Sequence, residues 1–78
     1  MAKALTFNQV EQILAVTDAL GISREAVVIP LRAAHPGRLD VRKDGKLEIV
    51  VESDDDFADW LSRLAPELRS LMNLPAAG

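Results

Sequence analysis

The sequence predicts a small α+β domain: a helix, a three-stranded antiparallel sheet built from an edge strand and a hairpin, and a C-terminal helix kinked at Pro66. Three observations predict it. Apolar residues recur with a helical period between Thr6 and Gly21, Asp44-Gly45 is flanked by alternating apolar and polar residues, and a second helical stripe runs from Phe57 to Met72. The 78 residues make one domain, 1–78, whose single small core must carry its stability. The absence of cysteine excludes disulfides and thiolate metal sites, and small scaffolds without such staples often gain stability by oligomerising.

The first helix is read from Phe7, Val10, Ile13, Leu14, Thr17 and Leu20, with Asn8, Gln9, Glu11, Gln12 and Asp18 on the opposite face. Thr6 is a suitable N-cap, Gly21 sits where a left-handed residue ends a helix, and Ile22 can fold back on the last turn. The stretch "RLDVRKDGKLEIVVES" reads as a hairpin. A two-residue turn would set Val41 against Glu48 and mix the faces. A three-residue loop with Gly45 at a bulge puts Leu39 and Val41 on one face with Leu47, Ile49 and Val51. Ser53 reads as the N-cap of the second helix, with Asp54, Asp55 and Asp56 at the positive end of its dipole. Its stripe is Phe57, Trp60, Leu61, Leu64, Leu68, Leu71 and Met72, in phase across Pro66, and "NLPAAG" reads as a frayed tail.

Between helix and hairpin, "ALGISREAVVIPL" resembles the local helix-turn-helix signature. The resemblance covers about sixteen residues and implies a winged-helix arrangement (ααββα), with a recognition helix after Ser23 and the basic hairpin as wing. Three physical arguments oppose it. Pro30 would interrupt the recognition helix at a cost of about 3 kcal/mol. Val28 and Ile29 would occupy outward positions that should be polar or basic. The whole chain is acidic, at net charge −3. The same residues suit a short β-branched edge strand over Ala26 to Arg32, whose proline needs no ladder partner. "AAHPG" then becomes the loop into the hairpin, with both helices covering one face of the sheet.

The charge is segregated: Arg24, Arg32, Arg38, Arg42, Lys43 and Lys46 crowd the middle, and the last third is acidic. His35, the single histidine, has no nucleophile or orienting partner near it in sequence and reads as a loop residue. Glu52, Asp54, Asp55, Asp56 and Asp59 lack calcium-loop spacing, and a capped helix start accounts for them. No phosphate loop, zinc spacing or nucleophile elbow occurs. Hence no enzyme activity, catalytic residue, cofactor, metal or small-molecule substrate is expected. Trp60 is expected in the core.

The expected function is a non-enzymatic protein-interaction or regulatory module, homodimeric and cytoplasmic, with neither a membrane segment nor a signal peptide. Arg38, Arg42, Lys43 and Lys46 would meet the macromolecular partner, and Val28 and Val50, left over on the outer face, would meet a second copy. A winged-helix DNA-binding transcriptional regulator is the alternative. A third reading is an acidic decoy, in which Asp54, Asp55, Asp56 and Asp59 imitate phosphates and inhibit a nucleic-acid-binding protein.

Overall fold

The computed structural model describes residues 4–72, so the expected tail at 73–78 lies outside the described residues. The first helix, α1, runs Phe7–Ala19. At its start the Thr6 hydroxyl accepts the Gln9 N–H at 3.1 Å, and the Gln9 side chain accepts the Thr6 N–H at 2.9 Å. This reciprocal box satisfies two amides that a helix start otherwise leaves bare. At its end Gly21 takes φ 78°. The Gly21 N–H bonds the Asp18 carbonyl, and the Ile22 N–H reaches back to the carbonyl of Thr17. That is the paired closure a left-handed glycine permits, and it drives Ile22 into the core. Phe7, expected on the apolar face, is 80% exposed: as the first helical residue it stands off the end of the stripe that buries Ile13 and Thr17.

The segment read as either recognition helix or strand forms a single 3-10 turn, Arg24–Ala26, followed by strand β1, Val27–Val28. The winged-helix alternative therefore loses its second helix. Arg24, which would open that helix, lies back on α1 and pairs with Asp18 at 3.0 Å and Glu11 at 3.6 Å. Strands β2, Arg38–Val41, and β3, Leu47–Val50, form the hairpin. Their register sets Val41 opposite Leu47 and Leu39 opposite Ile49. Arg42 faces Lys46 across the loop Lys43-Asp44-Gly45, with Gly45 at φ 87°. The loop thus has the three residues that facial matching requires.

The sheet is mixed, not purely antiparallel. Its order is β1-β3-β2, and β1 runs parallel to β3, with Val27 opposite Leu47 and Val28 opposite Glu48. The chain keeps beside β3 further on, where Ala34 bridges Glu52 in parallel fashion. Between these contacts one side advances from 27 to 34 and the other from 47 to 52, so the first track bulges around Pro30. Proline has no N–H to give a ladder, which suits that excursion. From Ala34 the chain must reach the opposite edge to start β2. Residues 35–37 do this by crossing the end of β3, and the His35–Pro36 peptide is cis.

The second helix, α2, runs Phe57–Leu71 and continues through Pro66 as one helix. The proline lies within it at the expense of one amide donor, which the Ser62 carbonyl loses. The N-cap is Asp56, whose carboxylate accepts the Asp59 N–H, and not Ser53. The amides of Ser53 and Asp54 are engaged elsewhere, by the Ala34 carbonyl and the Glu52 carboxylate, so the helix starts after them. Ile13, Trp60, Leu64 and Leu68 close over Leu47, Ile49 and Val51 in one cluster, which places both helices on one face of the sheet. Trp60 is in this core, and Phe57 packs beside it with ring centroids 5.8 Å apart. Leu71, at the far end of the stripe, is 42% exposed. Among the described residues no helix is long and apolar enough to cross a membrane.

Candidate functional site

Two features stand out once the chain is folded: the open edge of β2 and the crossing at the end of β3. The edge follows from strand order, since among the described residues β2 has β3 on one side and no strand on the other. Antiparallel pairs alternate between bonded and non-bonded, and the Arg42 N–H bonds the Lys46 carbonyl at 2.7 Å. Counting along the register, Asp40 and Arg38 turn their amides to β3, while Leu39 and Val41 turn theirs outward. The side chains alternate in the same way. Leu39 and Val41 lie on the core face, and Arg38 and Asp40 on the outer one.

On that outer face Asp40 stands directly opposite Glu48. Two carboxylates so placed repel. Arg38 offsets this only from the diagonal, reaching Glu48 at 3.3 Å. Of the other basic residues assigned to a partner, Arg42 pairs with Asp44 at 3.5 Å, while Lys43 and Lys46 project from the hairpin tip and make no ion pair among the described residues. Val50, expected to offer surface to a second copy, is 9% exposed. It lies on the central strand, and Val28, which pairs with Glu48 on that strand, is half-buried. Between β2 and α2 an open cleft of about 330 Å³ is lined by both signs of charge, Arg38 and Arg63 against Glu52, Asp55 and Glu67.

The crossing brings together residues that are distant in sequence. Glu52 is its centre, with a side chain only 16% exposed. One carboxylate oxygen accepts the Gly37 N–H at 2.9 Å, and the other accepts the Asp54 N–H at 3.0 Å. His35 Nδ1 lies 2.8 Å from that second oxygen and 3.1 Å from a carboxylate oxygen of Asp54. The Gly37 and Asp54 amides, and then the imidazole, hold the Glu52 carboxyl down at about 2. The bond to Glu52 and the charge of Asp54 raise the His35 pKa above its ordinary value. His35 is therefore a loop residue with two carboxylate partners, one of them seventeen positions away in sequence. Two of the remaining acids have internal duties as well: Asp55 pairs with Arg63 at 2.7 Å, and Asp56 caps α2. Asp59 supplies a backbone carbonyl to Ser62 and Arg63.

Gly37 is tied to this crossing by space. A Cβ there would lie 2.6 Å from the Glu52 nitrogen and 2.7 Å from the Val50 carbonyl oxygen. Only a residue without a side chain lets the two backbones approach so closely. Neither a family model nor a curated protein nor a solved structure matches this chain.

Proposed function

We propose that this chain is a non-enzymatic interaction module that pairs with a second copy of itself along the open edge of β2. The observation that carries this reading is the like-charge opposition of Asp40 and Glu48 on an edge strand whose own cation sits two residues away. Because Leu39 and Val41 present the outward amides, an antiparallel partner strand can centre on Leu39, on Asp40 or on Val41. Centred on Leu39, the pairing sets Arg38 of each copy opposite Asp40 of the other, and Asp40 gains a facing cation. A register shifted by one step sets Asp40 against Asp40, and the repulsion disfavours it. Leu39 and Val41, the latter 43% exposed, would then meet their counterparts on the core side.

The contact between copies thus lies at β2 rather than at Val28 and Val50. Arg38 keeps the partner-binding role assigned to it, and Arg42, Lys43 and Lys46 flank the seam. A four-residue edge buries little area, so association in the micromolar range fits it.

Asp40→Arg tests the proposal without threatening the fold, because it places a cation opposite Glu48 and relieves a repulsion within the chain. Sedimentation at high micromolar concentration is expected to show dimer for the parent chain and monomer for Asp40→Arg. The swap Arg38→Asp with Asp40→Arg should restore the dimer. A monomeric parent, or an Asp40→Arg chain that associates as well as the parent, overturns the reading.

A further inference from the structure

We propose that His35, Glu52 and Asp54 form a binding site for a divalent first-row transition metal such as zinc. The three donor atoms, one imidazole nitrogen and one oxygen from each carboxylate, lie within 4.8 Å of one another. Nδ1 is 2.8 Å from the Glu52 oxygen and 3.1 Å from the Asp54 oxygen. Ligands at zinc distances of about 2.0–2.2 Å stand about 3.0–3.4 Å apart, depending on whether the geometry is octahedral or tetrahedral. The two separations from Nδ1 therefore need to open by only a few tenths of an ångström to admit an ion. The metal takes the place of the proton that the imidazole shares with the carboxylates, and that proton leaves to solvent.

Several features make this more than a crowd of surface acids. The central ligand is pre-ordered, because Glu52 is fixed by the amides of Gly37 and Asp54 before any ion arrives. The ligands come from both chain segments that meet at the end of β3, so the metal would staple the crossing in a fold that has no cysteine to do so. The charges suit a dication, since two carboxylates and a neutral imidazole bring it to zero. The nearby Asp55 is already matched by Arg63. An imidazole among oxygens favours zinc and its neighbours over calcium or magnesium, which take oxygens alone. His35 and Asp54 are largely exposed, which leaves the outer coordination positions to water.

The site is independent of pairing at β2, and its test reads the single chain. Titration calorimetry of the untagged 78-residue chain with zinc chloride, in a buffer that does not chelate, is expected to show one ion per chain. With one histidine and no cysteine in the sequence, the imidazole signals in NMR spectra belong to His35 alone and should shift with zinc and not with magnesium. His35→Ala and Asp54→Asn change exposed side chains, and circular dichroism would confirm that both fold. Loss of a merely supporting group around a metal costs roughly 10–100-fold in affinity, so loss of the ligand His35 should cost at least as much. Asp54→Asn should weaken binding by a smaller factor. No stoichiometric uptake by the parent, or uptake by His35→Ala equal to the parent's, overturns the assignment.

Discussion

Gly37→Ala adds one methyl group and should cost this chain about 2 kcal/mol. The added Cβ would sit 2.6 Å from the Glu52 nitrogen, 2.7 Å from the Glu52 Cα and 2.7 Å from the Val50 oxygen, where ordinary contact is 3.4–4 Å. All three struck atoms are backbone, so no side-chain rotation relieves the overlap. Overpacking typically costs about 1–3 kcal/mol, and rigid targets put this case near the top of that range. Alanine stiffens the unfolded chain and returns about 0.4–1 kcal/mol, which leaves a net loss of about 2 kcal/mol. For a domain of this size that is a fall of about 8–16 °C in melting temperature. Urea unfolding followed through Trp60, the single tryptophan and a core residue, measures it directly.

Gly21 and Gly45 supply the contrast. Both have positive φ, and nothing lies within 4 Å of an added Cβ at either. Their alanine variants should lose about 1–2 kcal/mol through backbone conformation alone. Asparagine, which tolerates that conformation, should recover part of the loss at Gly45 and none at Gly37. Gly37→Ala should also shift the His35 ring signals, because Glu52 must move, whereas Gly45→Ala should not. A Gly37→Ala chain within about 0.5 kcal/mol of the parent would refute the close-crossing argument.

Three further outcomes are expected. Thr6→Ala removes one half of the capping box of α1 and should cost about 1 kcal/mol in urea unfolding, while a change within error would show that the box contributes nothing. Leu64→Ala, at a fully buried position of α2, should cost about 2–5 kcal/mol, and Leu71→Ala, at an exposed one, should cost much less; equal losses would contradict the assigned face. In chelator, the bond between His35 and Glu52 should stabilise the fold most between pH 4.5 and 6.5, the ordinary values of the two groups. Glu52 titrates low when folded, so its contribution is present above its ordinary value and fades as pH falls towards about 2. His35 titrates high, with Glu52, Asp54 and Asp55 facing it, so its contribution is complete below 6.5 and fades as pH rises through the folded value. The stability gap between the parent and His35→Ala should therefore narrow on the alkaline side; a gap that widens there refutes the pairing.

Local chemistry carried most of the fold into the sequence. The α1 caps were legible because Thr6, Gln9, Gly21 and Ile22 act within a few residues of one another. The hairpin loop was legible because facial parity leaves only one loop length that fits. The direction of β1 was not: "AVVIPLR" suits a parallel or an antiparallel edge equally, and only the path after Ala34 distinguishes them. The N-cap of α2 was misplaced for the same reason, since the Ser53 amide is taken by Ala34, nineteen positions earlier. Val50 was read as outer surface because nothing local to it shows that β3 is the middle strand. The His35 cluster had a usable signal. Extending the hairpin register by two residues sets Pro36 opposite Glu52, so the histidine before Pro36 was bound to fall near that carboxylate.

The crossing at residues 35–37 also decides where this chain tolerates being opened. New termini between His35 and Gly37 would release Glu52 from its amide and free the only link that carries the chain from one edge of the sheet to the other. The exposed hairpin tip at Lys43 to Gly45 has no such duty, and exposed tips are where circular permutation and inserted peptides succeed. Split there, the chain would fall into two pieces of similar length, each with one helix. The first would bring both outer strands already joined by the crossing, and the second the central strand that slots between them. Complementation of those two halves on mixing would make the domain a small two-part reporter, with β3 as the inserted piece.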